Sequence, residues 1–143
     1  MEKQIPIIIQ ARQSSKRLPS KVMTTFCGIM KMIEFQYQRL KTGFEYVIIA
    51  TSTDKSDDEM CTYLAQKDIP YFRGSLDNVM GRLVDCYESR FSKANPWFVR
   101  VGGDDPLVSI EGIQWLLKEL SMRDDKEDIG MIYSSYDAGM IYG

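Results

Sequence analysis

Residues 5–21 read Ile-Pro-Ile-Ile-Ile-Gln-Ala-Arg-Gln-Ser-Ser-Lys-Arg-Leu-Pro-Ser-Lys, an apolar run that passes directly into a basic loop. The run from Ile5 to Gln10 is rich in β-branched residues, which is typical of a strand buried on both faces of a sheet. Its proline stands at the second position, where a strand can begin without losing a ladder hydrogen bond. The fold is predicted from this buried strand and from the loop that follows it, Gln10 to Lys21.

The rest of the chain alternates between helical and extended patterns. Helices are predicted from about Met30 to Lys41 and from starts near Ser56, Leu76 and Ser109, and further strands at Tyr46–Thr51, Ile69–Arg73, Trp97–Val101 and Ile129–Tyr133. Strands separated by helices pair in parallel through right-handed crossovers. The sequence therefore predicts a three-layer α/β fold with a mostly parallel sheet, and the length of 143 residues predicts one domain.

Two of the helices carry more detailed signals. Ser56 and Glu59 have the spacing of a capping box, in which Ser56 accepts from the N3 amide and Glu59 reaches back. That helix should end near Lys67 and bury Met60, Cys61 and Leu64. The next helix has apolar residues at 3.6-residue spacing. They are Leu76, Val79, Met80, Leu83, Val84, Tyr87 and Phe91.

The charge of the chain is unevenly distributed. The net charge is −2, yet residues 3–33 hold six basic residues and no acidic one: Lys3, Arg12, Lys16, Arg17, Lys21 and Lys31. Duplex nucleic acid usually requires a broad basic face, whereas a short basic segment suits a small polyanion. We therefore expect a triphosphate as the ligand and no nucleic-acid partner.

Several classes of protein are excluded by composition. The chain has no histidine, which removes Ser-His-Asp and Cys-His catalysis and the common zinc sites. Its cysteines, Cys27, Cys61 and Cys86, lack the spacing of a metal site, and their odd number argues against a disulfide framework, so we expect reduced thiols. No apolar run reaches the roughly 18 to 20 residues of a membrane span, and the first residues do not resemble a signal peptide. A cytoplasmic protein without a membrane partner is the expectation.

Three polar loops follow strands whose carboxyl ends share one edge of the predicted sheet. They are the basic loop, Arg73-Gly-Ser75, and Gly102-Gly-Asp-Asp-Pro106. Each has a simpler explanation, because a basic loop can be a solvated turn, an arginine a surface residue, and Asp104 and Asp105 turn formers. Together they favour a binding site. Arg12 and Lys21 bracket a loop that can surround phosphate oxygens, although it lacks the glycines of a Walker loop. A carboxylate opposite that loop suits Mg²⁺, which binds one or two carboxylates together with phosphate oxygens.

The segment at 8–22, Ile-Ile-Gln-Ala-Arg-Gln-Ser-Ser-Lys-Arg-Leu-Pro-Ser-Lys-Val, closely resembles the signature of the cytidylyltransferases that activate sialic acid, Kdo and related sugars. The branch that it resembles most is that of the spore coat polysaccharide biosynthesis protein F. Further matches are Ala-Thr-Ser-Thr-Asp at 50–54, Phe-Arg-Gly-Ser at 72–75 and Arg-Val-Gly-Gly-Asp-Asp-Pro-Leu at 100–107. The resemblance implies the Rossmann-like fold of nucleotide-diphospho-sugar transferases.

The resemblance also implies an activity and a set of site residues. A sugar hydroxyl would attack the α-phosphate of CTP with Mg²⁺ as cofactor, and a CMP-sugar for surface polysaccharide would form as pyrophosphate leaves. Arg12 and Lys21 would hold the triphosphate, Arg73 would face the cytidine, and Asp104 would bind the metal. The implied catalytic residues are Arg12, Lys21 and Asp104, and the implied nucleotide-binding residues are Ala11, Arg12, Ser15, Arg17, Lys21, Arg73 and Ser75.

The chain departs from the family pattern at three places. Glycine usually stands where this chain has Ser14 and Ser20, and a positive φ at either position would strain the loop. Gly28-Ile-Met-Lys31 replaces a Gly-Lys-Pro-like turn. Relatives continue beyond the point where this chain ends, with a sugar pocket, a second metal-binding aspartate and the arm of a homodimer, so 1–143 is expected to be the nucleotide-binding domain alone.

Two other functions therefore stay open. The chain could be a truncated, non-catalytic nucleotide-binding module, or one that works beside a second chain. It could also be a nucleotidyltransferase that uses a different nucleoside triphosphate.

Overall fold

A computed structural model describes residues 5–14, 20–26, 28–91 and 97–122. The strands are β1 (Ile7–Gln10), β2 (Thr25–Phe26), β3 (Met30–Lys31), β4 (Val47–Ser52), β5 (Tyr71–Gly74) and β6 (Val99–Gly102). The α-helices are α1 (Met32–Lys41), α2 (Asp58–Gln66), α3 (Val79–Arg90) and α4 (Ile110–Ser121), and two 3-10 turns span Lys21–Met23 and Lys55–Asp57. The predicted strand at Ile129–Tyr133 lies outside the described residues.

The main sheet has four strands in the order β5-β4-β1-β6, and every neighbouring pair is parallel. The chain moves from β1 to β4 and β5 on one side and then returns to place β6 on the other side of β1. Right-handed crossovers place α1 and α2 on one face and α3 on the opposite face. The predicted three-layer α/β fold with a parallel sheet is confirmed. The short strands β2 and β3 form an antiparallel hairpin around Gly28, whose φ is 70°.

The central strand is buried on both faces, as the apolar run predicts. Ile7, Ile8 and Ile9 are each 0% exposed, although successive side chains point to opposite sides. On the α3 face, Ile8 packs in a cluster with the neighbouring strand and with α3, whose members are Ile48, Ala50, Leu83 and Cys86. Burial raises the pKa of the Cys86 thiol to about 12, which agrees with the prediction of a packed, reduced cysteine.

The predicted apolar face of α3 is partly wrong. Met80 and Val84 are 61% and 37% exposed, while Arg82 and Cys86 are fully buried beside Leu83. The buried face of α3 is therefore rotated from the predicted one. Gly74 leaves room for the aliphatic part of Arg82, since a Cβ at Gly74 would lie 2.9 Å from Arg82 Cγ. The predicted apolar face leaves position 82 on the solvated side of the helix, whereas Arg82 is buried in the structure.

The capping box at Ser56 is also wrong. Asp54 accepts from the backbone N–H of Ser56 at 2.9 Å and caps the 3-10 turn, so α2 begins only at Asp58. The first turn of α2 is completed instead by Gln13, whose Oε1 accepts from Met60 N at 2.9 Å while its Nε2 donates to Glu59. Met60, Cys61 and Leu64 are buried and α2 ends at Gln66, as predicted.

The helix α4 begins as the sequence predicts, because Ser109 Oγ accepts from Gly112 N at 3.0 Å. Backbone contacts divide the chain into two compact units, Met1–Val108 and Ser109–Gly143. The expectation of a single nucleotide-binding domain stays a prediction. Within the described part of the chain, no helix is long and apolar enough to cross a membrane.

Candidate functional site

The loops after β1 and β6 meet at the point where the strand order reverses. Gly103 N donates to Gln10 O at 2.8 Å, and a Cβ at Gly103 would lie 2.9 Å from both Gln10 O and the Cβ of Ala11. Only glycine lets the two loops approach this closely. In parallel α/β sheets this crevice beyond the strand ends is where ligands bind.

The basic loop is closed at its base. Ser20 N donates to Gln13 O at 2.7 Å, and Ser20 O in turn accepts from Met23 N in the 3-10 turn that begins at Lys21. Arg12 and Lys21 therefore stand just outside the two ends of a closed loop. Ser15 and Arg17, also predicted to bind the nucleotide, lie outside the described residues.

A buried carboxylate fixes the start of the basic loop. Asp57 is 0% exposed and accepts from Gln13 N at 2.7 Å through Oδ1. Its Oδ2 accepts from the backbone N–H and the hydroxyl of Ser52, at the end of β4. Neither Gln13 nor Asp57 is predicted as a site residue from the sequence, because both are polar residues inside segments predicted as a loop and a helix cap.

Arg12 extends toward the loop between β5 and α3. Its Nη1 donates to the carbonyl of Leu76 at 3.3 Å. In the same loop the hydroxyl of Ser75 accepts from Asn78 N at 3.0 Å, and Asn78 Oδ1 accepts from Gly81 N as the cap of α3. The structure thus brings Arg12 and the Ser75 loop together, as the predicted convergence of loops requires.

Arg73 is engaged elsewhere on the same sheet edge. Its Nε donates to Ser52 O at 2.8 Å, and its Nη2 donates to Asp54 O at 2.9 Å and forms a 2.7 Å ion pair with Asp58 Oδ1. The hydrogen bond with Asp58 is the main reason that the pKa of Arg73 is raised. Its role toward cytidine stays a prediction, since these bonds hold it against the 52–58 segment.

The loop that carries Asp104 is held by α1. Gln36 is fully buried, and its Nε2 donates to Gly102 O at 2.7 Å and to Asp105 O at 2.9 Å. Arg39 Nη1 donates to the carbonyl of Val108. Sequence patterns missed both residues, because a glutamine and an arginine on an amphipathic helix are usually solvated.

Asp104 itself is exposed, and its Oδ1 lies 2.7 Å from the position that a Cβ at Gly102 would take. Among the described residues, no cluster of three or more His, Cys, Asp or Glu side chains could hold a metal. A single carboxylate near a loop that is predicted to bind phosphate still fits Mg²⁺, because this ion takes one or two carboxylates and completes its shell with phosphate oxygens and water.

Arg82 is the site residue that sequence reasoning missed most completely. It is 0% exposed, and its Nη1 donates to Ser75 O at 2.9 Å. Its Nε and Nη2 have no hydrogen-bond partner within the described structure. Burial, and next the like charge of Arg12, lower the pKa of Arg82. A guanidinium therefore lies buried and partly unpaired beside the arginine that the sequence assigns to phosphate.

Comparisons with known proteins agree on one family. A family model described as cytidylyltransferase matches residues 6–141. The chain is 31% identical over 113 residues to the spore coat polysaccharide biosynthesis protein SpsF of Bacillus subtilis, covering 75% of this chain and 45% of that protein. It is 34% identical over 116 residues to the 3-deoxy-manno-octulosonate cytidylyltransferase of Aliivibrio fischeri, covering 80% and 45%.

A solved structure supports the same assignment. The structure of a cytidylyltransferase from Leptospira borgpetersenii matches with a TM-score of 0.70 and 28% identity, over 81% of this chain and 48% of that one. The chain spans about half the length of the curated relatives that it matches.

Proposed function

The chain belongs to the cytidylyltransferase family, and from that membership we propose that it transfers CMP from CTP to a sugar, releasing pyrophosphate. The observation that carries the proposal is the closed basic loop at the reversal of strand order, with Arg12 at one end and Lys21 at the other. Two cations at the ends of a closed loop are suited to one small polyanion, whose charge backbone amides and guanidinium groups bind well in proteins. A triphosphate has the matching charge and size.

The reaction requires positioning and charge neutralisation more than covalent chemistry. An acceptor hydroxyl oxygen forms a bond to the α-phosphorus, the bond to the bridging oxygen of the β-phosphate breaks, and pyrophosphate leaves. The hydroxyl proton passes to solvent or to a base. Arg12 and Lys21 would bind the phosphates and hold the α-phosphorus in line with the acceptor.

Asp104 is proposed as the residue of this chain that holds Mg²⁺. Its loop contacts the start of the basic loop through Gly103, and this closeness supports the assignment. Bound Mg²⁺ would supply charge neutralisation at the triphosphate. The contribution of the chain is to keep the Asp104 loop in place through Gln36 and Arg39.

The remaining assignments follow the family pattern. Ala11 would contact the nucleotide by its close approach at the crevice, and Ser15, Arg17 and Ser75 would add hydroxyl and guanidinium contacts. Arg73 is proposed to face the cytidine. Its bonds to Ser52 and Asp54 use Nε and Nη2, so a contact through Nη1 would require no change in them. The names of the relatives, which include a 3-deoxy-manno-octulosonate cytidylyltransferase, favour a 2-keto sugar acid as the acceptor.

Release of pyrophosphate tests this function. CTP and Mg²⁺ should yield pyrophosphate only when a suitable 2-keto sugar acid from a panel is added. Arg12→Ala should reduce the rate about tenfold or more, because it removes a charge-assisted contact to phosphate. Lys41→Ala is the matched control, since this exposed lysine bonds only to Glu45 O in the described structure. Release that is equally fast without an acceptor, or from ATP instead of CTP, would contradict the proposal.

A further inference from the structure

The path of the Arg82 side chain is unusual for an arginine on a surface helix. Its Cβ and Cγ lie 3.3 and 2.9 Å from the position that a Cβ at Gly74 would occupy. The side chain thus crosses the end of β5 where that strand has no side chain of its own. Its guanidinium reaches the loop edge of the sheet, where Nη1 meets Ser75 O.

The burial of this guanidinium is costly. Arg82 is 0% exposed, and neither Nε nor Nη2 meets a hydrogen-bond acceptor among the described residues. Buried charges in proteins are normally paired and hydrogen-bonded, because an unpaired one loses its hydration without compensation. Two unused donors on a buried cation therefore indicate that their acceptor is not among the described residues.

The surroundings specify the charge of that acceptor. Arg12 is close enough for its like charge to act on Arg82, and the acid that acts on Arg82 is Asp57. Both oxygens of Asp57 already accept from Gln13 and Ser52, so this carboxylate is occupied. Two cations whose one acidic neighbour among the described residues already accepts other hydrogen bonds are suited to an anion.

The two arginines also converge on the same piece of backbone. Arg12 donates to Leu76 O and Arg82 donates to Ser75 O, from the basic loop and from α3 respectively. Each uses one guanidinium nitrogen for the backbone, which orients the rest of its planar fork. Paired forks of this kind match the oxygens of a phosphate, with geometry that a lysine cannot reproduce.

We propose that Arg82 and Arg12 together form a buried receptor for a phosphate group of the bound nucleotide. The proposal rests on the proposed function, and adds to it a phosphate-binding residue in α3. Arg82 supplies Nε and Nη2, and Arg12 supplies the nitrogens not used at Leu76. The same chemistry would bind free pyrophosphate, the product of the transfer.

Replacing Arg82 with methionine tests the receptor. Arg82→Met keeps the aliphatic packing on Gly74 and removes the charge, so without ligand its melting temperature should equal or exceed that of the unchanged chain. In calorimetric titrations it should bind pyrophosphate and CTP about tenfold or more weakly, because charge-assisted hydrogen bonds are lost. Its affinity for cytidine, which has no phosphate, should not change.

Arg90→Met is the matched control, because Arg90 lies on the same helix, is exposed, and makes only a 3.4 Å contact to Tyr71 O in the described structure. It should bind all three probes as the unchanged chain does. If Arg82→Met does not fold, Arg82→Gln decides the matter, since its amide can still donate to Ser75 O. Unchanged pyrophosphate affinity in the folded variant would overturn the proposal, as would an equal loss for cytidine, which indicates only a structural role.

The outcomes separate this proposal from the function on which it rests. Arg82-dependent pyrophosphate binding in a chain that shows no preference for CTP would keep the receptor and remove the cytidylyl assignment. CTP turnover with unchanged CTP and pyrophosphate affinity in Arg82→Gln would keep the function and remove the receptor.

Discussion

Ser20 adopts a left-handed backbone conformation, with φ 59° and ψ 19°, at the point where the basic loop closes on Gln13. A non-glycine residue in this region brings its Cβ close to the backbone, at a cost of about 1–2 kcal/mol. The family pattern usually has glycine at this position and at Ser14. The structure locates the strain at Ser20, because Ser14 is absent from the described residues with positive φ.

Ser20→Gly should therefore stabilise the chain by about 0.5–1 kcal/mol, since relief of strain outweighs the added freedom of the unfolded glycine. The free energy of unfolding in urea measures the effect. Ser14→Gly is the control and should be neutral or destabilising. A Ser20→Gly chain no more stable than Ser14→Gly would show that the loop is not strained at this position.

Individual residues show which positions in the fold can be predicted from sequence. Arg12 and the Gly103 loop were predicted because their residue types follow strands in a recognisable pattern, and the structure places both at the reversal of strand order. Arg82 and Gln36 were missed, because their burial depends on neighbours distant in sequence, Gly74 and the 102–105 carbonyls. A polar side chain at a helical position carries no local signal that it will be buried.

Among the helices and strands, α1 acts as a clamp, since its side chains hold the loop between β6 and α4. Gln36 supplies both hydrogens of its side-chain amide to that loop, and Arg39 adds a third contact at Val108 O. This arrangement couples a helix of the core to the loop that carries the proposed Mg²⁺ ligand, Asp104. The position of Asp104 is then set by the packing of α1 and not by its own exposed side chain.

Gln36→Met should destabilise the chain by about 1–3 kcal/mol, because the carbonyls of Gly102 and Asp105 lose their donor. It should also weaken the Mg²⁺-dependent part of CTP binding, since the Asp104 loop is released. Urea unfolding, and CTP titrations with and without Mg²⁺, measure the two effects. Gln38→Met, at an exposed position of the same helix, is the control. A Gln36→Met chain with unchanged stability would contradict the clamp.

The start of α2 shows why a helix boundary was predicted wrongly from the sequence. The strand runs and the ends of α1 and α2 were predicted closely, because apolar periodicity reports burial directly. The capping box failed because Asp57 binds Gln13 N and Ser52, which lets Gln13 complete α2 from outside the helix. Gln13 lies 47 positions before the residue that it caps, so no local spacing in the sequence predicts this cap.

In the molecule as a whole, the proposed function depends on the strand order β5-β4-β1-β6. The basic loop follows the central strand β1, and Asp104 follows β6. Arg12 and Arg82 both donate hydrogen bonds to the β5–α3 loop. The sequence predicts that these loops share one edge, since all the strands are parallel. It does not predict that Arg73 is held by Asp58 while Arg82 lies beside Arg12, because these pairings depend on how the helices pack.

We expect the loop from Gln10 to Lys21 to bind the triphosphate of CTP, and a calorimetric titration measures this binding. CTP, UTP, ATP and GTP would each be titrated with Mg²⁺ into the unchanged chain, Arg12→Ala and the control Arg90→Ala. CTP should bind most tightly, and Arg12→Ala should weaken it about tenfold or more while Arg90→Ala does not. Equal affinity for all four nucleotides, or unchanged CTP affinity in Arg12→Ala, would contradict the claim.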